Sequence, residues 1–303
     1  MNNSYVNRIK NISFSRILGN FKAPIPTDEI KDTLISLGIK EGDRLFVHSS
    51  FGKFYHGGDT SLLDYFYRLS AQGHEDYAKK IIQIFFDIIG VSGVLMFPGD
   101  FLGDELYSTG IKKVWDLSKE RTRSRGFLPE IFRNWPGTVR STHPVYPVTV
   151  NGGGFEKEVN NHWDLPYTMD VGSPWYKLMQ VGGKIILFGV GYQVNSALRL
   201  SEHVLKNDYP HPMFFNRPFS YTVKNYEGRQ KEVHAYLLAV RAYRLKVSTN
   251  IKFCEYLNDK YGIYKSNKVR GVNIITVKLK DQFDAIMAEL ENGVTWYDAM
   301  HWD

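Results

Sequence analysis

Short apolar runs alternate with amphipathic stretches along most of the chain, and their two periods are those of buried strands and of helices packed by one face. Ile30, Leu34, Ile35 and Leu37 recur at helical spacing behind Thr27, which can cap a helix that Gly38 ends. The run DRLFVHSSF predicts a buried strand over Arg44 to His48, opening into a Ser/Gly loop with a glycine pair at Gly57 and Gly58. Helical periodicity returns over residues 61–90, broken near Gln72 and Gly73, and VLMFP predicts a strand at Val94 to Pro98. Beyond a long mixed loop come a helix at Phe127 to Asn134, strands at Val145 to Val150 and Lys184 to Val190, and a helix at Asn195 to Leu205. A polar strand or hairpin follows at Tyr221 to His234. Helices at Ala235 to Val247 and Asn250 to Tyr261, a strand at Val272 to Val277 and a helix at Lys280 to Asn292 complete the pattern.

Strands separated by helices predict an α/β fold with a mixed, largely parallel central sheet flanked by helices, in which ligands gather at loops beyond the strand ends. Residues 1–26, closing on Pro24 and Pro26, read as a loosely attached arm. Residues 27–303 read as one domain with a helical insertion near 61–90.

Composition narrows the class. An apolar content of 43% over 303 residues fills a real core. The single cysteine, Cys254, excludes an intramolecular disulfide framework and a multi-thiolate metal site, which fits a reducing cytosol. The basic N-terminal stretch has no uninterrupted apolar run, and no 18-residue apolar segment occurs, so a soluble cytoplasmic protein without membrane insertion is expected. The net charge of +6 is spread along the chain rather than blocked, and no basic tract interleaves with stacking aromatics, which argues against nucleic-acid binding. A positive field favours an anionic small-molecule ligand.

Candidate chemistry concentrates between Arg140 and His203. Histidines 143, 162 and 203 and carboxylates Glu156, Glu158, Asp164, Asp170 and Glu202 surround one apolar strand there, among repeated Gly and Pro breaks. A metal-dependent hydrolase would use His143, His162, Asp164 and Glu202, but no pair of these has a metal-ligand spacing such as H-E-x-x-H, and no metal is expected.

The order of motifs resembles the aminoglycoside 3-N-acetyltransferase family. The resemblance spans most of residues 27–290 and rests on LFVHSSF with its downstream glycine pair, GVLMFPGDF, RGFLPEIFRNWPGTVRSTHP, Gly152 ten residues before His162, GSPWYKL, and GGKIILFGVGYQVNSALRLSEH. Each piece alone is weak, and together in this order they are specific. The resemblance implies transfer of an acetyl group from acetyl-coenzyme A, without a metal, to the amine of a sugar-like acceptor; a monomer or homodimer is expected. It implies His162 as general base, with Glu156 and Glu202 as its acidic partners. An imidazole with a pKa of about 6.5 can take the proton that an amine loses on attacking a thioester, typically for about a 10²- to 10⁴-fold gain. His143 is the second histidine expected to touch acceptor or coenzyme, and Asp164 and Arg199 are expected on the acceptor side. Ser49, Ser50, Phe51, Gly57 and Gly58 are expected to line the pantetheine channel, with Arg123 and Ser124 near phosphate. A Ser196 hydroxyl or a loop amide could hold the thioester oxyanion.

Three features depart from the family pattern. Arg199 stands where many members have histidine, Pro147 replaces a serine, and about twenty extra residues, near Tyr65 to Lys80, follow the glycine pair. A guanidinium beside the site repels a polycationic aminoglycoside and attracts phosphate. The acceptor expected on that ground is a nucleotide-linked amino sugar used in surface polysaccharide. The alternatives are an aminoglycoside antibiotic, with resistance as the outcome, and a non-catalytic binding protein of the same fold.

Overall fold

A computed structural model describes residues 24–55, 71–99, 114–122, 125–239 and 246–298. Gly57, Gly58, Arg123, Ser124, residues 1–23 of the expected arm and residues 61–70 of the expected insertion lie outside the described residues. The last residues of the arm are tied down: Ile25 is buried, its N–H donates to the Phe54 carbonyl and its carbonyl accepts from Tyr77.

In chain order the described elements are α1 (Thr27–Ser36), β1 (Arg44–Ser49), α2 (Phe51–Tyr55), α3 (Ala71–Ile89), β2 (Val94–Pro98), β3 (Val114–Asp116), α4 (Phe127–Arg133), β4 (Val139–Arg140) and β5 (Val148–Asn151). They continue with α5 (Glu156–Asn160), α6 (Pro174–Gln180), β6 (Lys184–Phe188), α7 (Leu200–Leu205), β7 (Phe219–Lys224), β8 (Gln230–Ala235), α8 (Lys246–Tyr261), β9 (Tyr264–Val269), β10 (Val272–Lys278) and α9 (Leu279–Glu291). Two short 3₁₀ turns, His162–Asp164 and Ser196–Arg199, matter for the site.

Seven strands form the main sheet in the order β4-β5-β2-β1-β6-β10-β9. Its centre, β2-β1-β6, is parallel, and antiparallel pairs extend it on both sides. The expected mixed α/β sheet is present, with its parallel part where the most apolar strands lie. Strand β1 reads as an unbroken buried run because it is central and covered on both faces. Phe46 faces one core, with Met96, Trp175, Ile185 and Leu187; Leu45 and Val47 face the other, with Phe85, Ile89, Leu128 and Ile186. Helices α6, α8 and α9 supply the first layer, and α1, α3 and α4 the second. A separate sheet, β3-β7-β8, packs Trp115, Tyr221 and Val233 into a third, smaller core.

Several expected boundaries move for local reasons. The buried face of α1 uses Ile30 and Leu34 but leaves Ile35 exposed, and Pro26 rather than Thr27 precedes the helix. Helix α3 runs through Gly73 without a break. The stretch Val145–Pro147 is not strand, because Pro144 and Pro147 bracket Tyr146, whose φ is +44°. Residues 236–239, expected as helix, are extended, with Ala239 N–H donating to Met213 and the Leu237 carbonyl accepting from Phe215. Strands β3 and β9 escape the pattern because one is short and the other polar.

Gly152 leads from β5 toward α5 with φ +117°, and a Cβ there would lie 2.5 Å from the Gly93 carbonyl oxygen. Gly154 has φ +87° and open space around it. Gly154→Ala should cost only the left-handed backbone penalty, about 1–2 kcal/mol. Gly152→Ala should cost markedly more, since backbone must move, and urea unfolding of the two variants will rank them.

Candidate active site

Three histidines, His143, His162 and His203, converge in one buried layer of the molecule. His162, on the 3₁₀ turn after α5, is fully buried, and its ring lies 4.8 Å from that of His143. His162 Nε2 sits 2.7 Å from the Thr168 carbonyl oxygen. A carbonyl only accepts, so Nε2 carries the hydrogen and Nδ1 keeps the lone pair. That Nδ1 is buried and has no hydrogen-bond partner. Burial, with the neighbouring histidines 143 and 203, pushes His162 well below the ordinary imidazole range, so the ring is neutral at pH 7 and can receive a proton.

His143 is held differently. Its Nε2 lies 3.1 Å from the Leu165 carbonyl oxygen, and its Nδ1 accepts the Val145 N–H at 3.0 Å. Burial pushes its pKa down to about 4. Both nitrogens are engaged by backbone, so the expected contact of His143 with acceptor or coenzyme gives way to a role as the wall against which His162 stands. His203, which sequence reasoning set aside as structural, is buried with neither nitrogen bonded and packs edge-on to Phe214 at 4.9 Å. Nothing in its sequence context distinguishes it.

The expected triad is not assembled. Glu156 is exposed at the start of α5, where its carboxylate accepts the Gly154 N–H at 3.0 Å and satisfies the helix entry rather than His162. Glu202 is fully buried, but its partners are Arg199 Nη1 at 2.9 Å and the Tyr297 hydroxyl at 3.1 Å. Burial raises the Glu202 carboxyl, against the pull of Arg199. The orienting group of His162 is the Thr168 carbonyl. Only the backbone path brings it there, which is why residue types alone did not reveal it.

The acceptor-side expectations change too. Arg199 is fully buried, its guanidinium 4.8 Å above the Trp296 ring and paired with Glu202, so its charge is neutralised inside the protein rather than offered to a phosphate. Asp164 is exposed and paired with Lys231 of β8, which ties the small sheet to the turn carrying His162. The Ser196 hydroxyl lies 3.0 Å from Nε2 of His48, a residue absent from the expected site although it immediately precedes Ser49.

On the coenzyme side, the Ser50 N–H donates to Phe188 and so fastens the loop after β1 to the end of β6. Phe51 is packed with Phe127 and Tyr77, so its side chain faces the second core. Ser49 Oγ is buried without a partner, an orphan hydroxyl that fits a polar group of an extended coenzyme arm. Among the described residues no group of three His, Cys, Asp or Glu side chains could hold a metal ion, and no helix is long and apolar enough to cross a membrane.

A layered α/β sheet with a neutral, backbone-oriented histidine near its ligand edge is an arrangement suited to acyl transfer. The sequence profile of the aminoglycoside 3-N-acetyltransferase family matches residues 68–291, and the chain belongs to that family. Aminoglycoside N(3)-acetyltransferase IX of Micromonospora chalcea is 28% identical over 202 residues, covering 61% of this chain and 64% of that protein. The SPbeta prophage-derived aminoglycoside N(3')-acetyltransferase-like protein YokD of Bacillus subtilis (strain 168) is 24% identical over 220 residues, covering 67% and 72%. The fold matches that of AAC-IIIb in its binary complex with CoASH, with a TM-score of 0.69 at 20% identity over 88% of this chain and 96% of that one. YokD gives a TM-score of 0.67 at 19% identity, over 93% and 100%.

Two expectations follow from this geometry. An unfolded histidine takes a proton near pH 6.5 but folded His143 only near 4, so stability is complete above about pH 6.5 and falls as pH drops toward about 4. The loss is about 1.4 kcal/mol per pH unit per such histidine, and urea midpoints at a series of pH values will show it. Arg199→Leu should cost about 3–5 kcal/mol by leaving Glu202 buried and unpaired, whereas the double variant with Glu202→Leu should recover part of that loss, as read from the same unfolding curves.

Proposed function

We propose that this protein is an acetyl-coenzyme A-dependent N-acetyltransferase that acetylates an amine of an aminoglycoside-type acceptor. Its family membership supports the reaction class, and the neutral His162 with an unpartnered, buried Nδ1 is the observation that carries the mechanism. The acceptor amine attacks the thioester carbonyl, His162 Nδ1 takes the amine proton, and the Thr168 carbonyl steadies the resulting imidazolium through Nε2–H. His143 fixes the ring's position from the side without titrating at neutral pH. Ser49, at the end of β1, meets the coenzyme arm.

The case for a nucleotide-linked amino sugar rested on Arg199 as a phosphate contact, together with the net charge of +6. With that guanidinium engaged by Glu202, the local part of the charge argument lapses, and the relatives' aminoglycoside substrates become the better guide.

Thiol release from acetyl-coenzyme A, measured against a panel of aminoglycosides and a panel of nucleotide-linked amino sugars, tests the reading. Turnover is expected with aminoglycosides, and turnover confined to nucleotide sugars would reverse the acceptor assignment. His162→Ala should lower kcat about 10²- to 10⁴-fold with little change in KM. Because the base form persists well below the usual imidazole range, the limb of the kcat profile that reports His162 should lie well to the acid side of that range.

A further inference from the structure

We propose that Ser196 and His48 form a nucleophile–base pair that accepts an acetyl group from an acetyl thioester and passes it to water, an acceptor-independent hydrolysis beside the transfer reaction. The thioester substrate rests on the coenzyme reading above; the pair itself rests on geometry. Ser196 Oγ lies 3.0 Å from His48 Nε2, hydrogen-bond distance for a hydroxyl donating to the imidazole lone pair. A serine hydroxyl is a weak nucleophile until such a base sits beside it.

The pair stands where ligands of an α/β sheet collect. His48 is the penultimate residue of β1 and pairs in register with Leu187 of β6, and Ser196 opens the 3₁₀ turn beyond β6. Both side chains thus lie at the carboxyl ends of two adjacent parallel strands. His48 and Phe46 alternate onto the same face, with rings 5.0 Å apart, and Phe46 packs on Trp175 at 4.2 Å. Trp175 in turn donates to the Tyr146 carbonyl, in the segment that holds His143. The serine–histidine pair and the His162 base therefore share one layer of the molecule. They differ in access: His48 and Ser196 each keep 9% of their surface exposed, whereas His162 and Glu202 keep none.

The turn that carries Ser196 is held from below. Asn195 Nδ2 donates to Gln282 Oε1 at 2.8 Å, and the Tyr264 hydroxyl donates to the same oxygen at 2.9 Å. Asn195, Gln282 and Tyr264 are all buried, so the hydroxyl is aimed before any ligand arrives, which is what a nucleophile requires and a chance surface contact lacks.

The step balances without an added oxidant or reductant. The Ser196 proton moves to His48 Nε2 while an Oγ–C bond forms to the acetyl carbonyl carbon. The C–S bond breaks, and the departing thiolate takes the proton back from the imidazolium. A water, losing its proton to His48, then adds to the ester carbonyl; the Oγ–C bond breaks, Ser196 recovers a proton and acetate leaves. The net change is thioester plus water to thiol, acetate and one proton released to solvent.

The test uses the full chain with acetyl-coenzyme A and no amine, following thiol release and, after acid quench, mapping acetyl groups by peptide mass spectrometry. p-Nitrophenyl acetate, an activated ester without the coenzyme, is run in parallel. Expected are slow thiol release, a single acetyl group on the peptide of Ser196, and about a hundredfold loss of release in Ser196→Ala and His48→Gln. Ser196→Cys should carry the label as a thioester, and circular dichroism melts of all three variants establish that they fold. Unchanged release in both Ser196→Ala and His48→Gln, or acetylation mapped to another residue, overturns the pair. Labelling of Ser196 by p-nitrophenyl acetate alone supports the pair and refutes the coenzyme reading. Amine acetylation with no label from either donor refutes the pair and leaves the proposed transferase intact.

Discussion

The hydrogen bond from His162 Nε2 to the Thr168 carbonyl is the constraint on which the site depends. It selects the tautomer, and with it the single nitrogen that can act as a base. Thr168 binds the neighbouring segment too, because its hydroxyl donates to the Val145 carbonyl two residues from His143. One residue therefore sets the orientation of the His162 ring and the position of the His143 segment beside it. A carbonyl does this without bringing in a second charge, and an apolar layer tolerates a dipole far better than an isolated carboxylate. His162 stays neutral because burial and two neighbouring imidazoles all disfavour the cation, and among the described residues no acid offsets them.

A fully buried ion pair, Arg199 with Glu202, lies close to that layer. Arg199 and Glu202 lie three residues apart on consecutive helical turns, closed over by Trp296 and Tyr297. With Tyr297, this pair holds α7 to the segment that follows α9, and it engages the guanidinium through Nη1. The exposed bridge between Asp164 and Lys231 works at the surface, where an ion pair contributes little to stability but fixes which strand of the small sheet faces the 3₁₀ turn.

The layered architecture was legible because its signals are local. The central strands β1, β2 and β6 are apolar on both faces, so their runs stand out; polar β9 and three-residue β3 carry no such mark. His162 was legible through its place in a series of motifs. Its partner was not, since a backbone carbonyl has no residue identity to read. Glu156 and Glu202 were drawn to the histidine by proximity in sequence, yet one turned outward to the amides of Gly154 and the other inward to Arg199. His48 and Ser196 stand 148 residues apart, and only the parallel pairing of β1 with β6 brings them together.

The phenol of Tyr297 reaches Glu202 across 95 residues of chain, and β10 enters the main sheet beside β6, made long before it. On the ribosome, α7 therefore emerges with its carboxylate and guanidinium facing an unfinished interior. The layer that holds the three histidines stays open to water until α8, β9, β10 and α9 have been synthesised. Assembly of the parallel centre can proceed early, whereas closure of the layer waits on the long-range pairing of β10 with β6 and the contact of Tyr297 with Glu202.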